Sequence, residues 1–96
     1  MDTNTDTPPP KRLDDLPAGA TRLAWRCIRV LGTSYPEAAR HGRTDVAGVR
    51  RRVTRLDLYL KRHNIDPEKF AADEVANIGP EGIAALRLLV TGKDGA

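Results

Sequence analysis

Val49, Val53, Leu56 and Leu60 recur at i, i+4, i+7 and i+11, a spacing that brings apolar side chains to one face of an α-helix and to no single face of a strand. Arg51, Arg55 and Arg62 fall roughly opposite. Such a stripe is stable only when another element covers it, so the chain around it must supply packing helices. The residues just upstream supply one. Ser34 is a good N-cap, and Glu37 three residues on completes a capping box. Pro36 falls in the first turn of the same short helix, where a missing N–H costs nothing. Ala38 and Ala39 are small where the two helices must approach. Gly42 is expected to supply the turn between them, because a residue without Cβ reaches positive φ cheaply. Residues 34–56 thus read as a short helix over about Tyr35–His41, a tight turn, and a long helix capped by Thr44 or Asp45 and running to about His63.

The flanking segments continue the helical pattern. A first helix is predicted over about Ala20–Leu31, with Ala20, Ala24, Ile28 and Leu31 on its apolar face and Leu23 and Cys27 on the flank. Trp25 falls off that face, as Leu58 and Tyr59 fall off the stripe of the long helix. Asp66 and Pro67 open a fourth helix with Phe70, Ala71, Val75 and Ile78 on its apolar side. Gly79-Pro80 breaks it, and a fifth follows to about Val90 with Ile83, Leu86, Leu89 and Val90. No alternating strand pattern and no internal repeat is present. The expected fold is all-α, a small bundle of five helices containing a helix-turn-helix.

Three regions follow. Residues 1–15, rich in Asp, Thr and Pro with Leu13 as their one large apolar side chain after Met1, are expected to form a disordered tail. Pro8-Pro9-Pro10-Lys11-Arg12 within it reads as flexible chain or, alternatively, as a proline-rich ligand for a partner domain. Residues 16–63 would form the helix-turn-helix domain, and residues 64–92 a C-terminal helical extension that braces it or dimerises. A single cysteine, Cys27, excludes an internal disulfide, reads as a small core side chain, and fits a reducing cytoplasm. The longest apolar run is far too short to span a membrane, and the acidic, proline-rich start is not a secretory signal.

The formal net charge of +3 conceals a strong polarity along the chain. Residues 22–63 carry eleven Lys/Arg against Glu37, Asp45 and Asp57, a net +8, whereas residues 1–21 carry −2 and residues 64–96 carry −3. Basic charge concentrated on one element is the footprint of a polyanion partner; a merely soluble basic face is the plainer alternative. A helix anchored on its apolar side and arginine-rich on the other meets the requirement for reading the major groove. Arg50, Arg51 and Arg55 are the candidate guanine readers or phosphate clamps, against an exposed face serving solubility. Arg40 and Arg43 at the turn are candidates for phosphate. Thr44 and Ala47 lie at the N-terminal end of the long helix, where side chains approach base edges. Ala47 and Gly48 let a backbone come close, or reflect packing alone. Arg52 lies to the side, toward DNA or toward Asp45, Glu37 or an acid of the fourth helix.

Leu16-Pro17, a helix, and then Gly32-Thr33-Ser34-Tyr35-Pro36-Glu37-Ala38-Ala39 resemble region 4 of bacterial sigma factors. From Ser34 the spacing matches that region without a gap, with Val46, Val49, Arg50, Arg52, Val53 and Arg55 on its pattern positions. The resemblance covers about residues 16–60. It implies a helix-turn-helix that binds the −35 promoter element in the major groove. By the same resemblance Arg50, Arg51 and Thr54 would face bases or nearby phosphates, and Ser34 and Tyr35 would lie near the DNA backbone. The chain departs from the family at the turn, where Gly42-Arg43 stands for the usual Leu-Gly, and at Pro36 and Ala38. Nothing in it resembles region 2, so a complete sigma factor is not expected.

No nucleophile has a base and an orienting acid at a suggestive spacing, and no glycine-rich phosphate cradle follows a strand. His41 and His63, with Cys27 as the sole further soft ligand, do not make a zinc pattern. The sequence therefore reads as a non-enzyme without metal or cofactor. Its first functional reading is a cytoplasmic, sequence-specific regulator that binds double-stranded DNA. The alternative is a non-catalytic protein-interaction module of phage or plasmid type, an inhibitor or an RNA polymerase adaptor. RNA polymerase and a second copy of the chain are the candidate protein partners.

Overall fold

A computed structural model describes residues 9–92 of the chain. It is helical, with no strand among the described residues. A 3-10 turn over Leu13–Asp15 precedes α1 (Ala20–Trp25), which runs on through a π-helical turn over Arg26–Val30. Then come α2 (Tyr35–His41), α3 (Val46–Arg62) and α4 (Pro67–Thr91). The helices number four where the sequence predicts five. The expected break at Gly79-Pro80 is present as a kink inside α4, with Gly79 at φ 84°, ψ 161°. Only a residue without Cβ takes that backbone readily, and the helix resumes directly at Pro80, whose missing N–H suits a helix start.

The stripe of α3 lies where its spacing requires. Val49, Val53, Leu56 and Leu60 are all buried, each contributing about 1.5–3 kcal/mol of apolar burial. Asp45 caps the helix by accepting from the Gly48 N–H at 2.7 Å. The helix ends with Asn64 in the left-handed region (φ 61°). There the Ile65 N–H donates to Leu60 O at 3.0 Å and the Asn64 N–H to Lys61 O at 2.9 Å, a Schellman closure.

The first helix departs from its predicted face. Ala20 is exposed and Ile28 half-buried, while Ala24, Trp25, Cys27, Val30 and Leu31 are buried. The cause is the π turn. Its i→i+5 bonds, such as the Leu31 N–H to Arg26 O at 2.9 Å, underwind the helix and bring Trp25 and Val30 into line. Trp25, read from sequence as lying off the face, is instead the centre of the core at 0% exposure. Its ring meets Phe70 of α4 edge-on (centroids 5.8 Å apart, 70° between planes), and its Nε1–H donates to Asp57 of α3 at 2.7 Å.

The expected disordered tail over residues 1–15 is corrected in its last part; residues 1–8 lie outside the described residues. Pro10 and Leu13 are buried, and Leu16 joins them in the core. Asp15 accepts from the N–H groups of Lys11 (2.9 Å) and Arg12 (3.0 Å), which closes the turn and holds its carboxyl below the usual aspartate range. Arg12 Nε then donates to the buried Glu74 of α4 at 2.8 Å. Two leucines and a long-range ion pair order a segment whose composition alone suggested otherwise. Residues 16–63 and residues 64–92 also share this one core, since Trp25, Leu56, Phe70 and Ile83 belong to the same buried cluster.

The second half of α4 is tied back over α1 and α2. Arg87 Nε donates to Leu31 O at 2.9 Å, and an Arg40 guanidinium N–H reaches Thr91 O at 3.4 Å. Ile83 and Val90 are buried there. Val75 and Leu89, predicted on the apolar sides of the fourth and fifth helices, turn outward at 38% and 71% exposure. No helix among the described residues is long and apolar enough to cross a membrane.

Candidate nucleic-acid interface

The site begins with the N-terminus of α2. Ser34 Oγ accepts from the Glu37 N–H at 3.2 Å, and Glu37 Oε1 accepts from the Ser34 N–H at 3.2 Å, so the predicted capping box is formed. The Ser34 hydroxyl also donates to Glu37 Oε1 at 3.1 Å, and Ser34 stays exposed at the helix end. Tyr35 follows, half-buried. Ala38 and Ala39, at 2% and 5% exposure, let α2 lie against α3.

The turn is built differently from its sequence reading. Gly42 has φ −87°, and Arg43 takes the left-handed conformation at φ 56°. The Thr44 N–H donates to Ala39 O at 2.9 Å and the Arg43 N–H to Arg40 O at 3.3 Å. This is a Schellman motif with arginine in the position that glycine usually fills. Gly42 is held instead by crowding: a Cβ there would meet Ala38 O and the Arg52 guanidinium, each at 3.3 Å. Gly48 also serves packing. It is buried under the cap, where a Cβ would lie 2.1 Å from Thr44 Oγ1. Ala47 beside it is exposed, and Thr44 is half-buried.

From this frame α3 presents its outer face. Arg50, Arg51, Thr54 and Arg55 are exposed and, with Leu58, Tyr59 and Arg62, line one open depression along the helix. The ion pairs among the described residues are Arg12–Glu74, Arg29–Asp57 and Lys69–Asp73, so none of them neutralises this face. Arg50 makes one specific contact: its guanidinium carbon lies 5.3 Å from the centroid of the Tyr35 ring, within cation–π range. Arg43 is exposed at the turn, about one helical turn before Ala47. Of the sequence-predicted residues, the fold therefore gathers Tyr35 with Arg50, and Arg51, Thr54 and Arg55 along the same helix. Ser34, Arg43, Thr44 and Ala47 lie at the N-terminal ends of α2 and α3.

Arg40, a candidate for phosphate, is exposed, and one of its guanidinium N–H groups reaches Thr91 O at 3.4 Å at the returning end of α4. Leu58, off the apolar stripe, is 48% exposed among the arginines of the outer face; the Tyr59 and His63 rings lie 4.8 Å apart, tilted by 58°.

The helix is oriented from behind by Asp57. It accepts from Trp25 Nε1 at 2.7 Å and from an Arg29 guanidinium N–H at 2.5 Å, and this bond raises the Arg29 pKa. Asp57, one of the three acids within the basic segment, is thus engaged on the side of α3 that faces α1 rather than with the outer arginines. Among the described residues no three His, Cys, Asp or Glu side chains converge as metal ligands would. No family model matches the chain, and no curated protein or solved structure is significantly similar to it.

Proposed function

We propose that the protein is a non-enzymatic, sequence-specific regulator that binds double-stranded DNA with a helix-turn-helix, α3 entering the major groove. The observation that carries this is the outer face of α3. Arg50, Arg51, Thr54 and Arg55 are exposed on a helix whose opposite side is buried. No described ion pair competes for those arginines. The short α2, the four-residue turn 42–45 and the packing of α2 on α3 support the same reading. Ser34, Tyr35 and Arg43 would approach the phosphate backbone, with Thr44 and Ala47 close to base edges.

The test is a fluorescence-anisotropy titration against the DNA upstream of the gene and against scrambled DNA, at several salt concentrations. Tight, sequence-dependent binding that weakens steeply with salt is expected. Arg50→Ala with Arg51→Ala should abolish specific binding and keep the helical circular dichroism spectrum. A folded double variant with unchanged affinity would remove the reading face from α3.

One observation favours a second reading. Leu58 on α3 is 48% exposed. It lines the depression together with the arginines, and an apolar side chain there suits a protein partner, RNA polymerase or a second copy of the chain, that covers the same face of α3. A protein of that kind would bind both DNAs weakly and equally, and would instead bind purified RNA polymerase.

A further inference from the structure

We propose that Tyr35 sets the aim of Arg50, and that Arg50 is thereby the one arginine of α3 that reads a guanine, while Arg51 and Arg55 serve the phosphates. This rests on the DNA-binding reading above and adds to it which base and which pair of residues carry the specificity.

Four exposed arginines lie on the outer face of α3: Arg50, Arg51, Arg55 and Arg62. Among the described residues, only the Arg50 guanidinium lies over a ring, 5.3 Å from the centroid of Tyr35. The two residues come from different helices, so the contact exists only when α2 and α3 are packed. The Tyr35 ring is itself restrained. It is half-buried at the first position of α2, directly behind the Ser34–Glu37 capping box, and Ala38 and Ala39 fix that helix against α3.

The chemistry of the contact favours readout. An arginine loses rotamer freedom when it is fixed, and a contact that fixes it before binding removes part of that cost from the binding step. A cation–π contact draws on the charge of the guanidinium and uses none of its N–H groups in a hydrogen bond to an acceptor atom. Those groups form the fork that matches O6 and N7 of guanine in the major groove. A carboxylate partner would have consumed the fork. Arg50 also sits one turn into α3, near the end of the helix expected to enter the groove first. Arg51 and Arg55 have no ring contact among the described residues, which suits contacts to phosphates that tolerate several geometries.

The experiment has two stages. The full-length protein first selects from a pool of duplexes with a randomised central segment. Each guanine of the selected duplex is then replaced, singly, by 7-deazaguanine, which keeps base pairing and O6 but removes the N7 acceptor. Affinities are measured for the wild type, Arg50→Ala, Tyr35→Phe and Tyr35→Leu. The wild type should lose about 5- to 150-fold at one guanine. Arg50→Ala should bind more weakly and be indifferent to the replacement there. Tyr35→Phe keeps a ring and should discriminate as the wild type does. Tyr35→Leu should lower discrimination at that guanine alone by about two- to fivefold, with the salt dependence unchanged. A merely structural role for Tyr35 would instead weaken binding at every position together. Equal discrimination by Tyr35→Leu and the wild type overturns the proposal and leaves the DNA-binding reading standing. So does an equal loss in Tyr35→Phe and Tyr35→Leu. A wild-type protein that selects no sequence overturns both.

Discussion

Arg43→Gly should make the protein more stable and a weaker DNA binder at once. Arg43 holds φ 56° at the end of α2, where the Schellman bonds Thr44 N–H to Ala39 O (2.9 Å) and Arg43 N–H to Arg40 O (3.3 Å) depend on that backbone. An L-residue pays roughly 1–2 kcal/mol for the left-handed region because its Cβ crowds the carbonyl. Glycine does not, but it returns about 0.5–1 kcal/mol through the greater freedom of the unfolded chain. The net gain is about 0.5–1 kcal/mol, which for a domain of this size raises the melting temperature by about 2–8 °C. The same change deletes an exposed positive charge at the turn. If Arg43 neutralises one phosphate, the log–log salt dependence of binding should flatten by about one unit. Arg43→Ala separates the two effects, since alanine keeps the strain and loses the charge. Thermal melting by circular dichroism and anisotropy titrations at several salt concentrations read both quantities. A glycine variant no more stable than the alanine variant would refute the backbone reasoning. Unchanged salt slopes in both variants would remove Arg43 from the phosphate contacts.

Asp57→Ala should leave the buried Trp25 indole N–H without an acceptor and free Arg29, costing about 1–3 kcal/mol in urea unfolding; a cost below about 0.5 kcal/mol would mean that Asp57 does not fasten α3 to α1. Arg12→Ala should lower the urea midpoint by leaving the Glu74 carboxylate buried without its counter-ion, and Glu74→Leu in the same chain should recover part of the loss. A midpoint unmoved by Arg12→Ala would show that Glu74 draws nothing from the pair. Asp15 has a lowered pKa because it accepts from the Lys11 and Arg12 N–H groups, so its contribution is present above the ordinary aspartate range and is lost as pH falls through the folded value. Hydrogen exchange at the Leu16 amide, which donates to Leu13 O at 3.0 Å, should speed up on acidification relative to its intrinsic rate, and Asp15→Asn should abolish that dependence. Cys27 is 1% exposed and burial pushes its thiol pKa up, so a thiol reagent should react only as fast as the fold opens; stoichiometric labelling within seconds under native conditions would contradict its place in the core.

Local chemistry was readable without the structure. The capping box at Ser34–Glu37, the Asp66 cap and the stripe of α3 each depend on residues close in sequence, so spacing alone specified them; it narrowed the cap of α3 to Thr44 or Asp45, of which Asp45 forms it. The exposed arginines followed from the same periodicity, because burying one face of a helix exposes the other. The errors fell where a long-range contact overruled the local pattern. Trp25 looked misplaced because the π turn after it, which shifts the phase of α1, leaves no mark in apolar spacing. The segment before Leu16 looked disordered because its partner, Glu74, is sixty-two residues from Arg12.

The sequence by itself determined that this chain is helical, where most of its helices are capped, and that its positive charge gathers in residues 22–63. These are consequences of periodicity, cap chemistry and charge order, all of them short-range. Only the tertiary structure decided which residues share the core, that arginine rather than glycine closes the α2–α3 turn, and that Tyr35 lies under Arg50. Those outcomes depend on how the helices pack against one another, where burial of apolar surface and the pairing of distant polar groups outweigh local preference.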